Sequence, residues 1–172
     1  MFKKSFFLSL AAALLLMFAF RTLVCTAYTI PGKALEPTLR QGDRILVNRW
    51  SYGLRTGSSN GLFPYGRLCH QQVGHGELVA FEDSLARVFI GRCKAVPGDT
   101  IKTAKGVTVV PGLLNCAKCD YYLMESVDST ANYQCLVTEE QIIGRVCMIL
   151  FNHAPAAPVW EGYTADRLLL PL

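Results

Sequence analysis

The sequence predicts a mainly β protein: a small, folded-over antiparallel β domain behind one N-terminal transmembrane helix. Three observations lead there. Short apolar or alternating stretches recur along the chain with Gly, Pro and Asn punctuation between them. An apolar run opens the chain behind two lysines, and no internal repeat or sustained heptad is visible. At 172 residues there is room for one domain with a real core and an anchor, but not for two full domains.

The opening segment carries Lys3 and Lys4 ahead of an unbroken apolar or small stretch from Ser5 to Phe20. Crossing a bilayer takes about 20 residues, so Arg21 must snorkel along its stem for residues 5–28 to span. The lysines place residues 1–4 in the cytoplasm and residues 29–172 on the exported side of the inner membrane, in a single-pass arrangement. A cleaved leader ending near Cys25-Thr26-Ala27 is the alternative. A lipoprotein site at Cys25 fits poorly, because Val24 stands where a small residue is wanted. Hydrophobic residues make up 51% of the chain, above soluble norms, and this segment supplies much of the excess.

Strands follow. Asp43 to Asn48, Glu77 to Phe81 and Arg87 to Val96 read as strands, the last ending at the turn Pro97-Gly98-Asp99. Ile101 to Thr103 and Val107 to Val110 flank Lys105-Gly106 as a hairpin, and Tyr121 to Met124 and Arg145 to Phe151 supply later strands. Residues 56–75, rich in Gly, Ser and Asn, read as a long loop. Thr138-Glu-Glu-Gln141 reads as a short capped helical turn. The net charge of +4 is spread out, with no basic run interleaved with aromatics, so no nucleic-acid partner is expected.

The densest motif runs from Ile30 to Arg55, IPGKALEPTLRQGDRILVNRWSYGLR. It resembles the start of the catalytic domain of type I signal peptidases, membrane-anchored serine proteases that remove leader peptides. That family reads about I-P-x-x-S-M-E-P-T-L, then G-D-x-I-L-V-N-K and S-Y-G-x-R. The resemblance implies a nucleophilic serine at the position of Ala34, and a cleft shaped by Pro31, Leu35, Glu36, Pro37 and Ile90. It also implies a general-base lysine on a strand reading about Y-I-K-R-V-V-G-L-P-G-D. Aligned without a gap on Arg92 and Pro97-Gly98-Asp99, that lysine falls on Gly91. Both members of the Ser-Lys dyad are therefore absent. A replaced serine alone would explain Ala34 but not Gly91.

Neighbouring residues do not restore the chemistry. Lys94 is an odd number of residues from Gly91 and should point to the other sheet face unless a bulge intervenes. Thr38 matches a threonine that the family carries anyway, and Cys93 has apolar neighbours that fit a buried thiol. The family's third block, G-D-N-R followed by S-x-D-S-R, braces the lysine region. Here the nearest text is Met124 to Thr130, MESVDST, without the Gly-Asp-Asn-Arg.

The resemblance thus implies a signal-peptidase-like membrane protein without catalytic residues. Its expected partners are the bilayer, exported preprotein segments and an active signal peptidase. The rival readings are a working peptidase with an unorthodox nucleophile, and a redox or zinc module on Cys116 and Cys119. The chain carries seven cysteines, and a structural disulfide drawn from Cys116, Cys119 and Cys135 is the expectation for an exported domain. The histidines at 70, 75 and 153 show no metal-ligand spacing, so neither metal nor cofactor is expected.

Overall fold

The computed structural model describes residues 2–30, 38–56, 65–83, 85, 87–103, 106–115, 117–128, 131–154, 157–158 and 161–172. Helix α1 (Phe2–Leu23) leads into β1 (Cys25–Thr29). The expected apolar span of 5–28 is thus divided. Cys25 to Tyr28 leave the helix and pair antiparallel with β2 (Asp43–Asn48), from Cys25 opposite Asn48 to Thr29 opposite Arg44. Thr26, Tyr28 and Thr29 are β-formers, and pairing along a ready strand edge outweighs a further helical turn. No helix among the described residues is long and apolar enough to cross a membrane.

Two short strands, β3 (Leu54–Thr56) and β4 (Gly66–Leu68), form a hairpin inside the region expected to be loop. The main strands follow: β5 (Leu78–Glu82), β6 (Val88–Ala95), β9 (Tyr121–Asp128), β10 (Ala131–Thr138) and β11 (Ile142–Asn152), with β12 (Leu170–Pro171) beside β11. The expected hairpin is present as β7 (Thr100–Thr103) and β8 (Gly106–Val109). The long sheet runs β1-β2-β11-β5-β6-β9-β10, and its described pairings are antiparallel. At the expected capped turn, Glu139–Gln141 forms one 3-10 turn, and the Gln141 side-chain oxygen accepts from Thr138 N at 2.9 Å.

Among the described residues, two of the three apolar clusters lie on either side of β5. One gathers Ile30, Leu39, Ile45, Val47, Leu78, Ala80, Ile143, Val146 and Ile149, with Ile90 against it. The other gathers Tyr52, Val73, Val79, Phe81, Cys93, Tyr122, Met124, Val137 and Ile142. The pleat explains the division. Along β5, Leu78 and Ala80 face the first cluster while Val79 and Phe81 face the second. The family signature enters and leaves through the first cluster, at Ile30 and Leu39.

Candidate functional site

Ala34 and the expected cleft residues Pro31, Leu35, Glu36 and Pro37 lie outside the described residues. The two ends of their segment are well defined. On the entry side, Ile30 N donates to Asp43 O at 2.9 Å and Ile30 O accepts from Gly42 N at 3.0 Å. On the exit side, the Thr38 hydroxyl accepts from Arg92 Nη2 at 3.1 Å, and Thr38 O accepts from Arg167 Nη2 at 2.8 Å. Strand β6, which should carry the base, is thereby tied to the signature directly. Ile90 packs beside the same cluster as Ile30 and Leu39.

Below this turn lies a buried ionic node that sequence reasoning missed. Asp43 is fully buried and Arg167 is 5% exposed. Asp43 Oδ1 accepts from Arg167 Nε at 3.1 Å and Asn152 Nδ2 at 2.7 Å, while Oδ2 accepts from Arg167 Nη2 at 2.6 Å and Arg40 N at 2.7 Å. Four donors fill the carboxylate's lone pairs, the condition under which a buried ion pair is tolerated. Asn152 also donates to Gln41 O at 3.0 Å and accepts from the Thr164 hydroxyl at 3.1 Å. Asp43 stands in the G-D of the signature, and Arg167 in the tail; only their spacing of 124 residues hid the pair.

At the base position, Gly91 sits opposite Val79 on β5 and Ser126 on β9. A Cβ placed there would lie 3.0 Å from Phe81 Cε1 and 3.0 Å from Glu125 O. A side chain at 91 would therefore emerge against Phe81, beside the second cluster. The Phe81 ring stacks on Phe89 with centroids 6.2 Å apart, and it closes the space a longer side chain would enter. Glycine at 91 leaves the Phe81 ring and the Glu125 carbonyl close to where a side chain would start.

The substitutes fare no better. The register of β6 against β9 shifts between Cys93 and Ala95, so the irregularity that might have turned Lys94 does exist. Lys94 nevertheless points outward, with Nζ 2.8 Å from Glu125 Oε1. Cys93 is 1% exposed, and its thiol points toward Ala95 O at 3.7 Å. Burial first, then the Glu77 and Asp99 carboxylates, push its pKa up to about 11, opposite to the shift an activated thiol needs.

The third block lies in a hairpin. β9 and β10 pair without interruption from Tyr121 opposite Thr138 to Asp128 opposite Ala131. The block lies beside β6, with Gly91 opposite Ser126 and Arg92 opposite Glu125.

The cysteine expectations are only partly covered. Cys119 and Cys135 are both free thiols, and Cys116 lies outside the described residues. Cys135 sits on β10 opposite Met124, packed against the second cluster, whereas Cys119 lies in the loop before β9. Among the described residues no group of three His, Cys, Asp or Glu side chains is placed to hold a metal ion. His70 and His75 lie beside carboxylates instead, 3.2 Å from Glu139 and 3.3 Å from Asp99.

A second feature unseen in the sequence is Arg67 on β4. Its side chain is nearly fully buried, donating to Tyr65 Oη at 2.6 Å and to the carbonyls of Glu139 and Ile142. It docks the β3–β4 hairpin onto the β10–β11 turn.

The antiparallel β domain thus ties Thr38, at the exit of the signature segment, to Arg92 on the strand that leads into Pro97-Gly98-Asp99. The sequence model described as "Signal peptidase, peptidase S26" matches residues 3–116, and the chain belongs to that family. It is similar to signal peptidase I of Buchnera aphidicola, with 31% identity over 114 residues, 63% of this chain and 36% of that protein. Signal peptidase IB of Staphylococcus aureus shares 28% identity over 105 residues, 61% of this chain and 47% of its own length. The aligned part thus spans about a third to a half of the relatives it matches.

Proposed function

We propose that this chain is a non-catalytic signal peptidase homologue that binds exported preprotein segments or assists an active signal peptidase at the cytoplasmic membrane. One observation carries the reading. Where the family places its base, the chain has glycine, and a Cβ there would already press on the Phe81 ring and the Glu125 carbonyl. Ala34 brings no hydroxyl to activate in the first place. The rival, a peptidase with another nucleophile, needs a base for Thr38 or an ionised Cys93. The partner of the Thr38 hydroxyl is a guanidinium, which cannot take a proton, and Cys93 is buried and held protonated.

Membrane attachment through α1 is part of the proposal. Its side chains from Phe6 to Phe18 are exposed, among them Phe6, Phe7, Leu8, Leu14, Leu15, Leu16, Met17 and Phe18. The stretch from Phe6 to Phe18 carries no charged residue, which suits contact with lipid. Exposed apolar side chains in such a run support contact with lipid better than contact with water.

Loss of nucleophile or base each costs on the order of 10⁶ in turnover in a serine protease. The purified chain in detergent should therefore leave a preprotein uncut over hours, while binding its leader segment. Processing at the leader junction, with contaminating peptidase excluded by mass spectrometry, would overturn the non-catalytic reading.

A further inference from the structure

We propose that Arg167 is a positioning residue for the two residues that flank the signature segment, gripping Thr38 directly at its carbonyl and Ile30 through Asp43, whose backbone carbonyl receives Ile30 N. The inference rests on the reading above for its use, but on hydrogen bonds for its geometry. Arg167 Nη2 reaches Thr38 O, the exit of the segment, at 2.8 Å. The same guanidinium grips Asp43 with two bonds, and Asp43 O accepts from the entry residue, Ile30 N, at 2.9 Å. The Asp43 carboxylate also takes Arg40 N, and Asp43 N donates to Arg40 O at 3.1 Å, closing the tight turn that follows the segment. Entry and exit are therefore set by one node rather than by two separate supports.

The tail is built to hold its place. Ala165–Arg167 forms a 3-10 turn, Arg167 N donates to Thr164 O at 3.1 Å, and Thr164 donates to Asn152 of the node. Two residues on, Leu169 has φ 52°, a left-handed conformation uncommon for leucine, and its N–H bonds Leu150 O at 3.1 Å. A backbone held in that region implies that the surroundings determine it. The planar fork of arginine suits this geometry, since it meets a carboxylate with two parallel bonds and keeps a further N–H for a carbonyl. Lysine has no equivalent fork.

The test uses the full chain in detergent with Arg167→Gln, Arg167→Lys and, as a surface control, Arg87→Gln. Amide exchange is followed by mass spectrometry under conditions where circular dichroism shows each variant folded. Arg167→Gln should speed exchange in peptides covering residues 30–43 at least tenfold more than it speeds exchange in β5, β6 and β9. Arg167→Lys keeps the charge, which guards against loss of fold, and should give an intermediate rate over the same residues. The control should match wild type. Uniform acceleration in all strands, or none at 30–43, would overturn the proposal by making Arg167 a general stabiliser or a bystander. In parallel, a fluorescent leader peptide should bind Arg167→Gln at least tenfold more weakly than wild type. A wild-type chain that binds no peptide sinks the proposed function, whereas the exchange pattern still decides the role of Arg167.

Discussion

Two places in this molecule stand in contrast: the Asp43–Arg167 node and the Gly91 position. At the node every acceptor of a buried carboxylate is filled, and a guanidinium bridges strand, turn and tail. At Gly91 the ionisable group is absent, and an aromatic ring and a carbonyl crowd the space it would use. The node shapes backbone; the base would have shaped chemistry. A scaffold can retain the first without the second, because shape is held by bonds that need no substrate. The lesson is that resemblance in the signature reports architecture and leaves turnover to be argued from individual side chains.

The comparison can be broken most severely at the node. Removing one partner leaves the other charged and buried, which costs about 3–5 kcal/mol. Asp43→Ala and Arg167→Met should each lower stability by that amount in urea titration. A loss below about 1 kcal/mol would mean that water reaches the node and that it is no better supported than the surface.

The Gly91 side is sharpened by restoring the family's groups. Gly91→Lys forces a side chain against the Phe81 ring and a backbone carbonyl, an overpacking cost of about 1–3 kcal/mol, to which burial of the ammonium adds. Ala34→Ser with Gly91→Lys should therefore be less stable than wild type and recover little cleavage, and Ala34→Ser alone should recover none. Family-like turnover in the double variant would show that Phe81 swings aside and that β9–β10 braces the lysine after all.

Cys93 tests the electrostatics beside Gly91. Its folded pKa is raised from 9.0 to about 11, so the native state keeps a proton that the unfolded chain releases. That contribution is fully present below pH 9 and is lost as pH rises to 11, at roughly 1.4 kcal/mol per pH unit. Wild type should lose about 2–3 kcal/mol more than Cys93→Ala across that window in urea titrations. Parallel curves for the two proteins would mean that the thiol is solvated.

The smallest effect belongs to the surface. Lys94 and Glu125 are both partly exposed, and such pairs contribute about 0–1 kcal/mol. Lys94→Met should change stability by less than that, and high salt should erase even this difference.

Much of this was legible in the sequence, and the reasons for the exceptions are local. β2, β5, β6 and the β7–β8 hairpin announce themselves through apolar runs between glycine and proline turns. β10 does not, because Ala131 to Thr138 mixes Asn, Gln and Thr with apolar residues and follows a Ser-Thr pair that reads as loop. β1 was hidden inside apolar text that periodicity cannot divide between helix and strand. Gly91 could be placed because the turn Pro97-Gly98-Asp99 pins its register. The node could not, since no local pattern links an aspartate to an arginine 124 residues later.

That separation has a consequence for the order in which the protein is made. At typical synthesis rates of about 5–20 residues per second, Arg167 appears roughly 6–25 seconds after Asp43. Throughout that interval the signature turn exists without its guanidinium, its carboxylate open to water and its exit carbonyl ungripped. Contacts between residues so far apart are slow to form because closing the intervening loop costs chain entropy. The node is therefore completed late, and a nascent chain stalled before residue 167 would carry Asp43 and Thr38 without the guanidinium that grips both.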